Sequence, residues 1–314
     1  MIYTITLNPA IDYILEIDNK LNVGVTNYYS REYFQAGGKG INVGLVLNNL
    51  KQEVELLGLL GSENQEVFTK AFKDQKIKNN FMVIKGKNRT NFKIKNLVSK
   101  EETELNGLGF NVLENDIKKF LKTFEKTIRK NDIVVITGSA PKSISQSLYK
   151  ELGDIANQKG ATFIVDANKE LLKNALRSKP YLIKPNTEEI CSTLGIEYKE
   201  NLDLKELKAL VQELQKMGAQ NVLVSMGSKG SVFFGINNDI YQVSIAKGDL
   251  VNSVGAGDSM VAGFVYGISN KLSIEETLKV AAAAGGATAF TEWLAQGDEI
   301  LKLSKQIEVN KVEV

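Results

Sequence analysis

Short apolar runs alternate with stretches of helical periodicity along most of the chain, and that alternation limits the fold more than any other feature. Residues 2–7, 54–57, 133–137, 162–165, 181–183 and 222–225 are β-rich, largely aliphatic runs, as in strands buried on both faces of a parallel sheet. Between them lie amphipathic segments. The clearest spans 114–130 and sets Ile117, Phe120, Leu121, Phe124 and Ile128 at helical spacing. Repeated strand–helix units predict an α/β fold, a doubly wound and mostly parallel sheet with helices on both faces. At 314 residues, 43% of them hydrophobic, the chain can bury one large core or a core with a small appended unit. No repeat, low-complexity tract or proline-rich linker divides it, so residues 1–314 are expected to form a single domain.

Two regions break the rhythm. Residues 11–34 and 89–108 lack a long helical pattern and carry strand-like alternation, as in Asn91-Phe92-Lys93-Ile94-Lys95-Asn96-Leu97. Both follow early sheet strands, and they are expected to pair into a small second sheet, a lid over the edge of the main one. Two unrelated surface hairpins are the alternative.

Composition removes whole classes of chemistry. The chain has no histidine, which excludes Ser-His-Asp and Cys-His nucleophilic systems and any imidazole metal site. Acid–base work must fall to carboxylates, lysine or tyrosine. One cysteine, Cys191, excludes an intramolecular disulfide and a four-cysteine zinc site; it is expected to be a buried, inert thiol on a helix. Lys and Arg total 39 against 37 Asp and Glu, too even a balance to argue for nucleic acid or a membrane surface as partner. The start, MIYTITLNPA, lacks the pattern of a signal peptide, and no apolar stretch reaches transmembrane length, so a soluble, cytoplasmic protein is expected.

Four motifs carry the chemistry. Asn252-Ser253-Val254-Gly255-Ala256-Gly257-Asp258-Ser259 is a small-residue turn leading into a helical pattern over 260–269. Glycines there let the backbone approach a ligand, and a helix's first turn presents unpaired N–H groups suited to phosphate. Asp258 would lie beside that anion, where a carboxylate is unfavourable unless it accepts a proton; the alternative is an ordinary acidic first turn. Ala36-Gly37-Gly38-Lys39-Gly40-Ile41-Asn42-Val43 sets three glycines around one cation before another helix, yet it is neither a P-loop nor a dinucleotide fingerprint.

The third motif, Lys184-Pro185-Asn186-Thr187-Glu188-Glu189, follows the 181–183 run, at the carboxyl end of the sheet where open α/β folds bind ligands. Lys184 offers a cation, and Asn186 with Glu189 offers oxygens to hydrated Mg²⁺. The same residues also read as a capping box, and both readings are compatible. The fourth, Ser225-Met226-Gly227-Ser228-Lys229-Gly230, is either a phosphate-facing turn or a β-turn between strands.

These motifs fall in a familiar order. From Thr6-Leu7-Asn8-Pro9-Ala10-Ile11-Asp12, through the Gly37-to-Asn42 signature, to Val254-Gly255-Ala256-Gly257-Asp258-Ser259, the chain resembles the ribokinase-like (PfkB) carbohydrate kinases over nearly its whole length. Its start and Arg89-Thr90-Asn91-Phe92-Lys93 are similar to the branch acting on phosphorylated ketohexoses. Within that branch the Gly-Ala-Gly-Asp-Ser-Met run leans towards fructose 1-phosphate over tagatose 6-phosphate as substrate. Ala140 and Ser253 depart from the usual Leu and Thr without removing a reacting group.

The resemblance implies an ATP- and Mg²⁺-dependent kinase converting fructose 1-phosphate to fructose 1,6-bisphosphate. Asp12, Gly37, Gly38 and Asn42 would hold the sugar, with Ser139 alongside, and Lys39 and Arg89 would grip its phosphate. ATP would lie along Ser225, Gly227, Ser228 and Gly230, with Lys184, Asn186 and Gly257 near its phosphates and Glu189 organising the metal. Asp258 would be the general base, with the amides of Gly255, Ala256 and Gly257 around the transferring group. A homodimer clasped through the lids is also implied, with Ile14, Ile17, Tyr28, Tyr33, Phe92, Ile94 and Leu97 among the lid's apolar residues. Two other classes stand against this: a dehydrogenase, which lacks its Gly-x-Gly-x-x-Gly turn here, and a non-catalytic sugar-phosphate sensor.

Overall fold

The structure, a computed structural model, describes residues 1–313. Seven parallel strands run side by side in the order β5 (Lys78–Ile84), β4 (Val54–Gly61), β1 (Ile2–Thr6), β8 (Ile133–Thr137), β9 (Thr162–Asp166), β10 (Leu182–Ile183) and β11 (Asn221–Ser225). Antiparallel β12 (Ser231–Phe234), β13 (Ile240–Val243) and β14 (Val309–Val312) extend the sheet beyond β11. Helices cover both faces. One face carries α1 (Lys39–Asn49), α2 (Glu66–Asp74), α8 (Ala256–Ser269), α9 (Ile274–Ala289) and α10 (Gly297–Ser304). The other carries α3 (Glu114–Thr127), α4 (Leu148–Gln158), α5 (Lys169–Leu176), α6 (Thr187–Leu194) and α7 (Leu204–Met217).

The apolar runs are continuous because alternate residues feed two cores. On β8, Val134 and Ile136 pack under one helical layer and Val135 under the other, all fully buried. Cys191 is buried on α6, as expected.

The two irregular regions form one sheet of order β3-β2-β6-β7, with β2 (Ala10–Ile17), β3 (Arg31–Gly37), β6 (Arg89–Asn96) and β7 (Glu102–Asn106). Parallel pairing of β2 with β6 joins segments from the two regions, which rules out unrelated hairpins. The register lines up Phe34, Tyr13, Phe92 and Leu105 across all four strands on one face, and Gln35, Asp12 and Asn91 on the other. Phe34, Phe92 and Leu105 are exposed, and Tyr13 stacks on Phe34 at 5.8 Å. Of the apolar residues expected in this sheet, Ile14 stands in register with Tyr33 on the Asp12 face and is buried, while Ile17 shares the face of Tyr13 and is also buried. Tyr28 and Leu97 are exposed, but they lie outside the strands.

Candidate active site

Chain segments converge where β1, β8, β9, β10 and β11 end. The two glycine signatures meet directly. Asn42, in the first turn of α1, donates from Nδ2 to Oδ2 of Asp258, in the first turn of α8, at 2.8 Å. Both side chains are buried. Removal from water pushes the Asp258 carboxyl up to about 6; Lys39 opposes the rise, Asp166 adds to it, and Asn42 and Lys184 oppose it further. A carboxylate with that value is ionised at neutral pH yet basic enough to take a proton in a transition state.

Gly255 caps α8 with φ of 79°, a left-handed conformation that suits glycine, and a Cβ there would stand 2.9 Å from Leu294. Of the three amides expected around the transferring group, that of Ala256 donates to Ser253 O at 3.2 Å. The N–H groups of Gly255 and Gly257 make no such backbone bond among the described residues. A Cβ on Gly257 would lie 3.3 Å from Lys184 Nζ, so the third motif abuts the first.

Asp166 was not among the sequence candidates, yet it ties two of the motifs together. Its Oδ2 lies 3.6 Å from Lys39 Nζ and its Oδ1 lies 3.5 Å from Lys184 Nζ. Only 2% of its side chain is exposed, and its charge is the main reason the Lys39 ammonium is held above its ordinary pKa. The signal was legible: one acid ends an otherwise uncharged, largely buried strand, at the ligand-binding edge of the sheet.

Asn186 Oδ1 accepts from the Glu189 N–H at 2.7 Å, and Glu189 Oε2 accepts from the Asn186 N–H at 2.9 Å, so the capping box at α6 is complete. That leaves Glu189 Oε1 for a metal. Among the described residues no cluster of three or more acidic, cysteine or histidine ligands gathers elsewhere. A single carboxylate oxygen fits Mg²⁺ that keeps its waters and takes phosphate oxygens, and does not fit a cation needing an all-protein cage. Ser225 N–H donates to Pro185 O at 3.0 Å, bringing the fourth motif beside the third. The segment with Gly227 and Ser228 is a tight turn joining antiparallel β11 and β12, closed by Met226 N–H on Gly230 O at 2.9 Å.

On the other side of Lys39 lies a cavity of about 130 Å³, lined by Thr6, Asn8, Lys39, Arg89, Gly138 and Ser139 among others. Arg89 Nε donates to Asn8 O at 3.2 Å, and Asn8 Nδ2 donates to Ser139 Oγ at 3.4 Å. Asn8 thus positions two expected substrate ligands, a part the sequence reading did not give it. Asp12 is buried on β2, and its Oδ1 accepts from Asn91 Nδ2 at 2.8 Å. Burial raises its carboxyl above the ordinary value against the pull of Lys93, Asn91 and Arg89. A Cβ on Gly37 would come within 2.6 Å of Asp12 Oδ2, so a side chain there would displace that carboxylate. Gly38, with φ of 130°, precedes α1.

Phosphoryl transfer between two anions needs cations at both ends and a proton acceptor between them, and this edge of the sheet supplies all three. Fold and site together define a small-molecule phosphotransferase. The family model described as pfkB family carbohydrate kinase matches residues 5–295. The chain is 36% identical to 1-phosphofructokinase of Bacillus subtilis (strain 168) over 312 residues, covering 99% of this chain and all of that one. It is 34% identical to a tagatose-6-phosphate kinase of Staphylococcus epidermidis over 316 residues, with 99% and 100% covered. Among solved structures it is similar to phosphofructokinase-2 from Escherichia coli in complex with substrates and products, with a TM-score of 0.90, 25% identity and 97% and 98% of the chains covered.

The chain belongs to the pfkB family of carbohydrate kinases. Its reaction is phosphoryl transfer to a sugar phosphate. No helix among the described residues is long and apolar enough to cross a membrane.

Proposed function

We propose that the protein transfers the terminal phosphoryl group of ATP to the free primary hydroxyl of fructose 1-phosphate, giving fructose 1,6-bisphosphate. The observation that carries this reading is the buried Asn42–Asp258 pair, with a carboxyl near 6 at the start of a helix. The choice of sugar is supported by the 36% and 35% identities to proteins named 1-phosphofructokinase.

The sugar phosphate would sit between Lys39 and Arg89, whose guanidinium fork suits phosphate oxygens in pairs. Gly38, Asn42 and Asp12 would fix the ring so that the acceptor hydroxyl faces Asp258. That hydroxyl is too weak an acid to ionise beforehand, so Asp258 takes its proton as the oxygen–phosphorus bond forms. Lys184 and the amides of Gly255 and Gly257 would offset charge on the moving group. ATP would extend past Asn186 along Ser225, Gly227, Ser228 and Gly230. Mg²⁺, when bound through Glu189, would screen the donor phosphates. The four-stranded sheet would act as a lid that excludes water as a competing acceptor. Its aromatic outer face would pair with that of a second copy.

The 34% identity to tagatose-6-phosphate kinases favours a second reading with the same chemistry and a different ketohexose. A panel of fructose 1-phosphate, fructose 6-phosphate and tagatose 6-phosphate, compared by kcat/KM in a coupled ADP assay, tests both. Fructose 1-phosphate should lead by at least tenfold, about 1.4 kcal/mol in transition-state binding. A lead for tagatose 6-phosphate would reassign the substrate, and ADP release with none of the three would refute sugar-phosphate transfer.

A further inference from the structure

Two asparagines of the site are used in the same way. Asn42 donates its amide nitrogen to Asp258 and Asn91 donates its own to Asp12, each at 2.8 Å. Donation to a carboxylate fixes which way each amide points, because a flipped amide would set oxygen against oxygen. The two amide oxygens are buried, with no hydrogen-bond partner among the described residues, and so is Gln35 Oε1. Asn91 is only 7% exposed. Buried acceptors are normally satisfied, and those that the protein leaves unpaired need a donor from elsewhere.

Gln35, Asp12 and Asn91 stand abreast on β3, β2 and β6, on the face opposite the aromatic row. The next cation along that face of β6, Lys93, is paired with Glu104 at 3.1 Å. A row of acceptors flanking one carboxylate matches a ligand rich in hydroxyl donors, such as a sugar ring.

We propose that Gln35 and Asn91 are specificity residues, whose amide oxygens accept hydrogen bonds from ring hydroxyls of the sugar phosphate. This rests on the kinase reading above. Asp12 and Asn42 would hold the ring by their own contacts, while Gln35 and Asn91 would read which hydroxyls are present on the side facing the small sheet. Because both present acceptors, a sugar lacking the partner hydroxyl would leave them unpaired and be rejected.

The test compares wild type, Gln35→Met and Asn91→Ala with fructose 1-phosphate and with analogues lacking one ring hydroxyl each. Each substitution should raise KM for fructose 1-phosphate by roughly three- to tenfold, with KM for ATP little changed as a check on folding. Gln35→Met touches no carboxylate, so its effect does not pass through Asp12. For one analogue per residue the cost should vanish, variant and wild type becoming equal, because the interaction is already gone. Wild type alone should discriminate against those analogues, which needs no variant to fold. Equal costs with every analogue, or an unchanged sugar KM, would overturn the proposal. If wild type phosphorylates no ketohexose phosphate at all, the kinase reading falls and this proposal falls with it.

Discussion

Asp258 concentrates the energetic conflict of the site. A buried carboxylate next to incoming phosphate is costly, and Lys39, Asn42 and Lys184 only partly offset the loss of water. Its folded value of about 6 lies above the unfolded 3.8, so the native state holds the proton more tightly between the two. The contribution of Asp258 to stability is therefore greatest at and below about pH 4, falls as pH rises towards 6, and stays lower above it. Asp258→Asn lacks this dependence. The variant should gain on wild type by up to about 3 kcal/mol between pH 4 and pH 8, read from urea unfolding of both proteins. A difference that stays constant across that range would show that Asp258 is not held near 6. Unfolding is the better readout, because phosphate groups of the substrates themselves ionise near pH 6 and would blur a rate profile.

The elements that build the site are helix starts and the small sheet. Asn42 and Asp258 open α1 and α8, so each signature places its polar side chain where a positive helix end favours an anion. The small sheet divides its labour by face. Its inner row meets the site, whereas its outer row of Phe34, Tyr13, Phe92 and Leu105 has no cover. Such an apolar surface is best hidden against a copy of itself. The protein should run as a dimer in light scattering at micromolar concentration, and Phe92→Glu, which puts a charge at the middle of the row, should shift it towards monomer. A fully active wild-type monomer would leave the sheet as an intramolecular cover alone.

At the scale of the whole molecule, the parallel core was legible because strands buried on both faces read as unbroken aliphatic runs. Residues 133–137 were placed as they stand in β8, and the helix read over 114–130 ends three residues sooner, at Thr127. What escaped had no such signature. β5 begins with exposed Lys78, Asn79 and Asn80 at the sheet edge, and short β13 and β14 pair only with late neighbours. The small sheet was legible as strands, but its faces were not. β2 carries apolar residues on both sides, with Tyr13, Leu15 and Ile17 on one and Ile14 on the other, so alternation carried no direction. At the site, the glycine signatures were visible through their spacing and Asp166 through its place as an acid ending a buried strand, while Asn8 acts only through residues that folding brings to it. The whole arrangement converges on one proton transfer, and the most direct measurement is kcat for Asp258→Asn with ATP and fructose 1-phosphate. The variant keeps the shape of the site and should lose about 10²- to 10⁴-fold in kcat, with KM for the sugar phosphate far less affected. A kcat near that of wild type would contradict the account and leave Asp258 as a helix-start residue.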